Sequence, residues 1–108
     1  MTKSERSLAG ARRAQVVLPL SGDLDMAAAA DAHKRLISVD LRPGMELVLD
    51  LSGLTFMDST GVRLVLQAHQ YALRHAARLL LVRGPAPVMR VLTLVGLDDQ
   101  LDFVDEPP

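Results

Sequence analysis

The stretch Phe56-Met57-Asp58-Ser59-Thr60-Gly61-Val62 places two hydroxyls between an acid and a glycine. It lies between the best strand signal in the chain and its strongest amphipathic helix. Asp and Ser are preferred helix N-caps, and Thr and Gly suit a strand-to-helix turn. On spacing alone the stretch reads in two ways. One is an ordinary helix start. The other is a hydroxyl on the rim where a strand ends, within reach of another protein's active site. Open α/β sheets bind their ligands at that rim. A phosphate attached there would meet free backbone N–H groups and the positive end of the helix dipole. A third use, Ser59 as a hydrolytic nucleophile, needs an oriented base within about 2.6–3.2 Å. The chain has no Gly-x-Ser-x-Gly elbow to present one.

Other chemistry is scarce. Cysteine is absent, which excludes disulfides, thiolate metal sites and a cysteine nucleophile. His33, His69 and His75 share no ligand spacing, so no metal site is expected. His69 falls on the apolar stripe of its helix and reads as a core or boundary residue. The formal net charge is −1 and aromatics are 3% of the chain. Nucleic-acid binders carry a strong basic excess and stacking platforms, so neither direct nucleic-acid binding nor single-strand binding is expected. The last residues carry Asp98, Asp99, Asp102, Asp105 and Glu106 without a base. They read as a solvated end or as an acidic rim for a partner.

The elements that must position Ser59 follow from apolar patterning. Strands are predicted at Val16–Leu20, ending at the Ser21-Gly22 turn, and at Leu47–Leu51, stopping at Ser52-Gly53. A third is predicted at Leu79–Val82 and a weak edge strand at Leu101–Val104. Pro19 lacks an N–H, so it must face an edge or a bulge. Helices are predicted from Ala27 to Ile37 with Asp25 as N-cap, and from Gly61 to Ala77 with Asp58 or Ser59 as N-cap. A third starts at Pro85 or Pro87 and ends at Gly96. In the second helix, Val62, Val65, Leu66, His69, Ala72, Leu73 and Ala76 mark the core face. Leu64, Ala68 and Tyr71 form a second stripe beside it, read as flank packing or a partner-facing strip. In the third, Val88, Val91, Leu92 and Val95 point inward.

Strands alternating with helices favour a parallel or mixed sheet with helices packed on it. The 108 residues suit one domain, and 49% apolar residues suit a folded core. The expected division is a flexible or edge-strand N-terminal segment, 1–14, and a single domain, 15–105. One more strand is expected near Ser7 and Leu8. No apolar run reaches the ~18–20 residues of a membrane helix, and the charged N-terminus does not read as a signal peptide. A cytoplasmic protein is expected. Lys3 and Lys34 are the only lysines among 12 basic residues, an arginine bias associated with GC-rich bacterial genomes.

These residues resemble the STAS-domain family, in its anti-sigma factor antagonist type. Asp58-Ser59-Thr60-Gly61-Val62 is similar to the family's phosphorylation motif: Asp, Ser, Ser or Thr, Gly, then an aliphatic residue. Ser21-Gly22-Asp23-Leu24-Asp25 resembles its early turn, with Asp23 where Glu is commoner. Asp50-Leu51-Ser52-Gly53-Leu54 and Gly96-Leu97 fit as well, and the likeness runs from Val16 to Val104. Arg63 departs from the family, which often has Gly there. So does the end of the chain, where Pro107 and Pro108 cannot begin a long helix.

The resemblance implies a small mixed β-sheet of four to five strands with helices packed on it, and a C-terminal helix that is short or absent. It implies a regulatory binding protein and not an enzyme. An anti-sigma factor with serine kinase activity would phosphorylate Ser59, with Thr60 as a second candidate, and a metal-dependent serine phosphatase would reset it. Unphosphorylated, the protein would bind the anti-sigma factor and release a sigma factor for transcription. Asp58 and Gly61 would support the phosphosite. Asp23, Asp25, Ser59, Thr60 and Arg63 would line the partner surface. No cofactor is expected, since ATP and magnesium belong to the kinase. The alternative is a STAS subunit of a lipid or solute ABC transporter, docked on its ATPase.

Overall fold

The computed structural model describes residues 14–107. Their order is β1 (Gln15–Leu24), α1 (Met26–Ile37), β2 (Glu46–Met57), α2 (Ser59–Arg74), β3 (Arg78–Val82), α3 (Ala86–Leu94) and β4 (Phe103–Val104). The strands lie side by side in chain order, and every neighbouring pair is parallel. Each crossover carries one helix, as parallel pairing requires. Right-handed crossovers between sequential neighbours put all three helices on one face. Of the parallel or mixed sheet expected, the described residues form the parallel kind. No helix follows β4 among them. The strand expected near Ser7 and Leu8 lies outside the described residues.

The core is aliphatic. Leu47, Leu49 and Leu51 of β2 are fully buried under Leu36 of α1, Leu64 and Val65 of α2, and Leu92 of α3. Each such side chain contributes roughly 1.5–3 kcal/mol through burial. The intervening positions, Val48, Leu80 and Val82, form a smaller buried cluster on the opposite face.

Three expectations are corrected. First, β1 and β2 run well past their predicted stops. Ser21 pairs with Gly53 and Gly22 with Leu54, with register shifts after Pro19 and after Gly22. Turn-type residues here make bulges inside two strands that stay paired, and Pro19 sits beside one of them. A Cβ on Gly53 would lie 2.8 Å from the Leu20 carbonyl oxygen, so only glycine permits the approach.

Second, the buried stripe of α2 is Gly61, Leu64, Val65, Ala68 and Ala72. Leu66 and Leu73, expected inside, are exposed, Leu73 by 63%. The second stripe is thus mostly core. The small residues at 61, 68 and 72 let the helix sit close to the sheet, which turns the larger leucines aside. His69 is half-buried, as a boundary residue. Third, Val95 of the expected inward set is 52% exposed, because α3 has already ended at Leu94.

Candidate functional site

Two strand ends and two helix starts meet on one rim. β1 ends at Leu24, opposite Met57 at the end of β2. α1 starts at Met26 and α2 at Ser59. Asp25 caps α1, accepting from the Ala28 N–H at 2.9 Å. Asp58 caps α2. Its Oδ1 accepts both the Thr60 N–H at 2.9 Å and the Thr60 hydroxyl at 2.6 Å. These two bonds, the hydroxyl first, hold the Asp58 carboxyl below its ordinary value of 3.8.

The two hydroxyls therefore differ. Thr60 is half-buried and its hydroxyl is engaged by Asp58. Ser59 is exposed, and among the described residues its hydroxyl makes no hydrogen bond. The first turn also offers fewer donors than expected. The Thr60 N–H is held by the Asp58 carboxylate, and the Gly61 N–H by the Asp58 carbonyl at 3.0 Å. An anion on Ser59 would lean on the helix dipole more than on free N–H groups.

Gly61 is buried. A Cβ there would overlap Met57 Cγ and stand 3.0 Å from Leu24 Cδ2. The missing side chain is a packing feature: it seats the first turn of α2 on the ends of both strands.

The acids of the early stretch have structural partners as well as exposure. Asp23 Oδ1 accepts the Thr55 hydroxyl at 2.5 Å, clamping the end of β1 to β2. Asp23 and Asp25 remain exposed on the rim, as does Arg63, one turn along α2. The structure brings Asp23, Asp25, Asp58, Ser59 and Thr60 to one edge of the sheet. It adds Met26, 75% exposed, and Phe56, 48% exposed and paired with Asp23. Sequence reading missed both as surface residues. Their signal was position: apolar residues at a helix start and at a strand end.

Among the described residues no basic side chain is hydrogen-bonded to Ser59, and the ring nitrogen of His75 faces the Tyr71 carbonyl instead. Nor do they contain a group of three His, Asp or Glu residues placed to hold a metal ion. No helix among them is long and apolar enough to cross a membrane.

Residues 7–106 match the family model of the STAS domain. Among solved structures, the chain is similar to the anti-sigma factor antagonist SpoIIAA in its unphosphorylated form. Identity is 26%, the match covers 88% of this chain and 84% of that one, and the TM-score is 0.69. It is also similar to an anti-sigma factor antagonist from Mycobacterium paratuberculosis, with 22% identity, 89% and 81% covered, and a TM-score of 0.74. A third is the SulP transporter STAS domain from Vibrio cholerae, with 23% identity, 87% and 76% covered, and a TM-score of 0.65. These last two show a shared fold. No curated protein matches the sequence.

Proposed function

The chain belongs to the STAS domain family, and from that premise we propose that it is a phosphorylation-switched anti-sigma factor antagonist acting in the cytoplasm. One observation carries the reading: Ser59 presents an exposed hydroxyl, unbonded among the described residues, at the first position of α2, while its neighbours Asp58 and Thr60 are tied to each other. An acceptor for another protein's kinase needs that exposure and no activation of its own. The anti-sigma factor would supply ATP, magnesium and the base. The γ-phosphoryl group passes to Ser59 Oγ, the hydroxyl proton to the kinase base, and ADP leaves. A metal-dependent serine phosphatase reverses the state.

Unphosphorylated, the rim of Asp23, Asp25, Ser59, Thr60 and Arg63 binds the anti-sigma factor, and a sigma factor is released. Phosphate adds about −1.5 to −2 charges at neutral pH. Against a surface shaped for a neutral hydroxyl, an unpaired charge costs several kcal/mol, and each 1.4 kcal/mol is about tenfold in affinity. Calorimetry with the cognate kinase tests this. The phosphorylated protein should bind at least about tenfold more weakly, and equal affinities reject the reading. The transporter-subunit alternative keeps the same fold, which the STAS domain of a Vibrio cholerae SulP transporter also has. It expects docking on an ATPase that ignores the phosphate.

A further inference from the structure

The depression beside Thr60 continues along the α1–α2 pair. Its first part holds about 510 Å³ of open space and runs from Met26 and Arg63 to His33 and Gln67. The second, about 420 Å³, shares His33 and Gln67 and runs on to Ile37 and Arg74. Together they form one groove over the twelve residues of α1, roughly 18 Å long. No carboxylate lines either part among the described residues. Arg63 and Arg74 are both exposed, and no ion pair among those residues holds either. Met26 and Ile37, 75% and 54% exposed, stand toward its two ends.

We propose that this groove docks an acidic amphipathic helix of the partner, about three turns long. Its carboxylates meet Arg63 and Arg74, and its apolar side chains cover Met26 and Ile37. Charge decides the occupant. Two guanidiniums with no facing acid among the described residues select carboxylates, and the apolar ends select a peptide. A nucleic acid would need several more cations and a free stacking face. The ring of Tyr71, the only Phe, Tyr or Trp in the lining, is already packed against that of His75, with centroids 4.4 Å apart.

The regulation of the groove rests on the reading of Ser59 as the switch. A phosphate on Ser59 would sit one helical turn from Arg63, within the spacing at which side chains on a helix interact. It would compete with the partner's carboxylates for that guanidinium and repel the rest of the segment. Binding would then fall with no change of fold.

The test uses the full chain, isotope-labelled, and a synthetic amphipathic helix with Glu on its polar face and Leu on its apolar one. Titration should shift the amides of His33, Arg63, Gln67 and Arg74. The same peptide with Lys for Glu should not shift them. Arg63→Glu together with Arg74→Glu should weaken binding at least about tenfold, with an unchanged circular dichroism spectrum. Absent shifts, equal binding of the Lys peptide or unchanged affinity of the double variant overturns the proposal. So does tighter binding of a single-stranded oligonucleotide at the same amides. Phosphorylation at Ser59 should cost at least about tenfold. Equal binding by the phosphorylated chain keeps the groove and overturns its control by Ser59.

Discussion

Gly61 and Met57 are packed so closely that a side chain on the first would occupy the place of the second's Cγ. Met57 is itself fully buried at the end of β2, and Leu24 of β1 also comes within 3.0 Å of where that side chain would stand. One missing methyl thus joins the first turn of α2 to both strand ends and fixes where Ser59 stands. Gly61→Ala should therefore destabilise by about 1–3 kcal/mol through overpacking, although alanine is the better helix former. Chemical denaturation measures it. A more stable Ala variant would show that the turn does not depend on this contact.

The cap at Asp58 should be visible in acid. Its folded carboxyl titrates below the ordinary 3.8, because the Thr60 hydroxyl and N–H bond the charged form. Its contribution is complete above that ordinary value and is lost as pH falls through the lowered one. Asp58→Asn keeps a capping oxygen but not the charge. The stability gap between wild type and Asp58→Asn should be constant at neutral pH and close below about pH 4. Urea unfolding across that range checks the sign.

Ser59 and Thr60 should separate cleanly. Ser59→Ala should abolish phosphorylation by the cognate kinase and leave the melting temperature unchanged, since the hydroxyl lost is exposed and bonds none of the described residues. Thr60→Val should do the reverse: it removes one of the two bonds to Asp58, lowers the melting temperature and keeps the phosphate on Ser59. Peptide mapping of the labelled protein reads the site. Exclusive labelling of Thr60 would overturn the assignment.

The orientation of α2 predicts unequal leucines. Leu64→Ala removes a buried side chain and should cost about 2–5 kcal/mol. Leu73→Ala removes one that is 63% exposed and should stay within about 0.5 kcal/mol. Equal costs would mean that the helix is rotated.

Much of this protein is written locally. Asp25 and Asp58 stand where a carboxylate can reach the N–H groups of a first turn, so both helix starts were legible within a residue or two. Pro85 and Gly96 bound α3 for equally local reasons: a ring that suits a helix start, and a residue able to adopt φ +77°. The apolar runs of β2 and β3 declared themselves by composition. The proposed partner rests on resemblance alone, through Asp58-Ser59-Thr60-Gly61-Val62. What the sequence could not decide involves two segments at once. Ser21-Gly22 and Ser52-Gly53 each look like a strand stop, and only the pairing of one with the other makes them bulges in longer strands. Leu64 and Leu66 are equally apolar, and the close approach of Gly61, Ala68 and Ala72 to the sheet selects which is buried. Ser59 and Thr60 are both hydroxyls, and the reach of the Asp58 carboxylate leaves one bonded and the other exposed. Caps and periodicity act over one turn of chain. Register, burial and accessibility depend on distances across the fold, which no single segment carries.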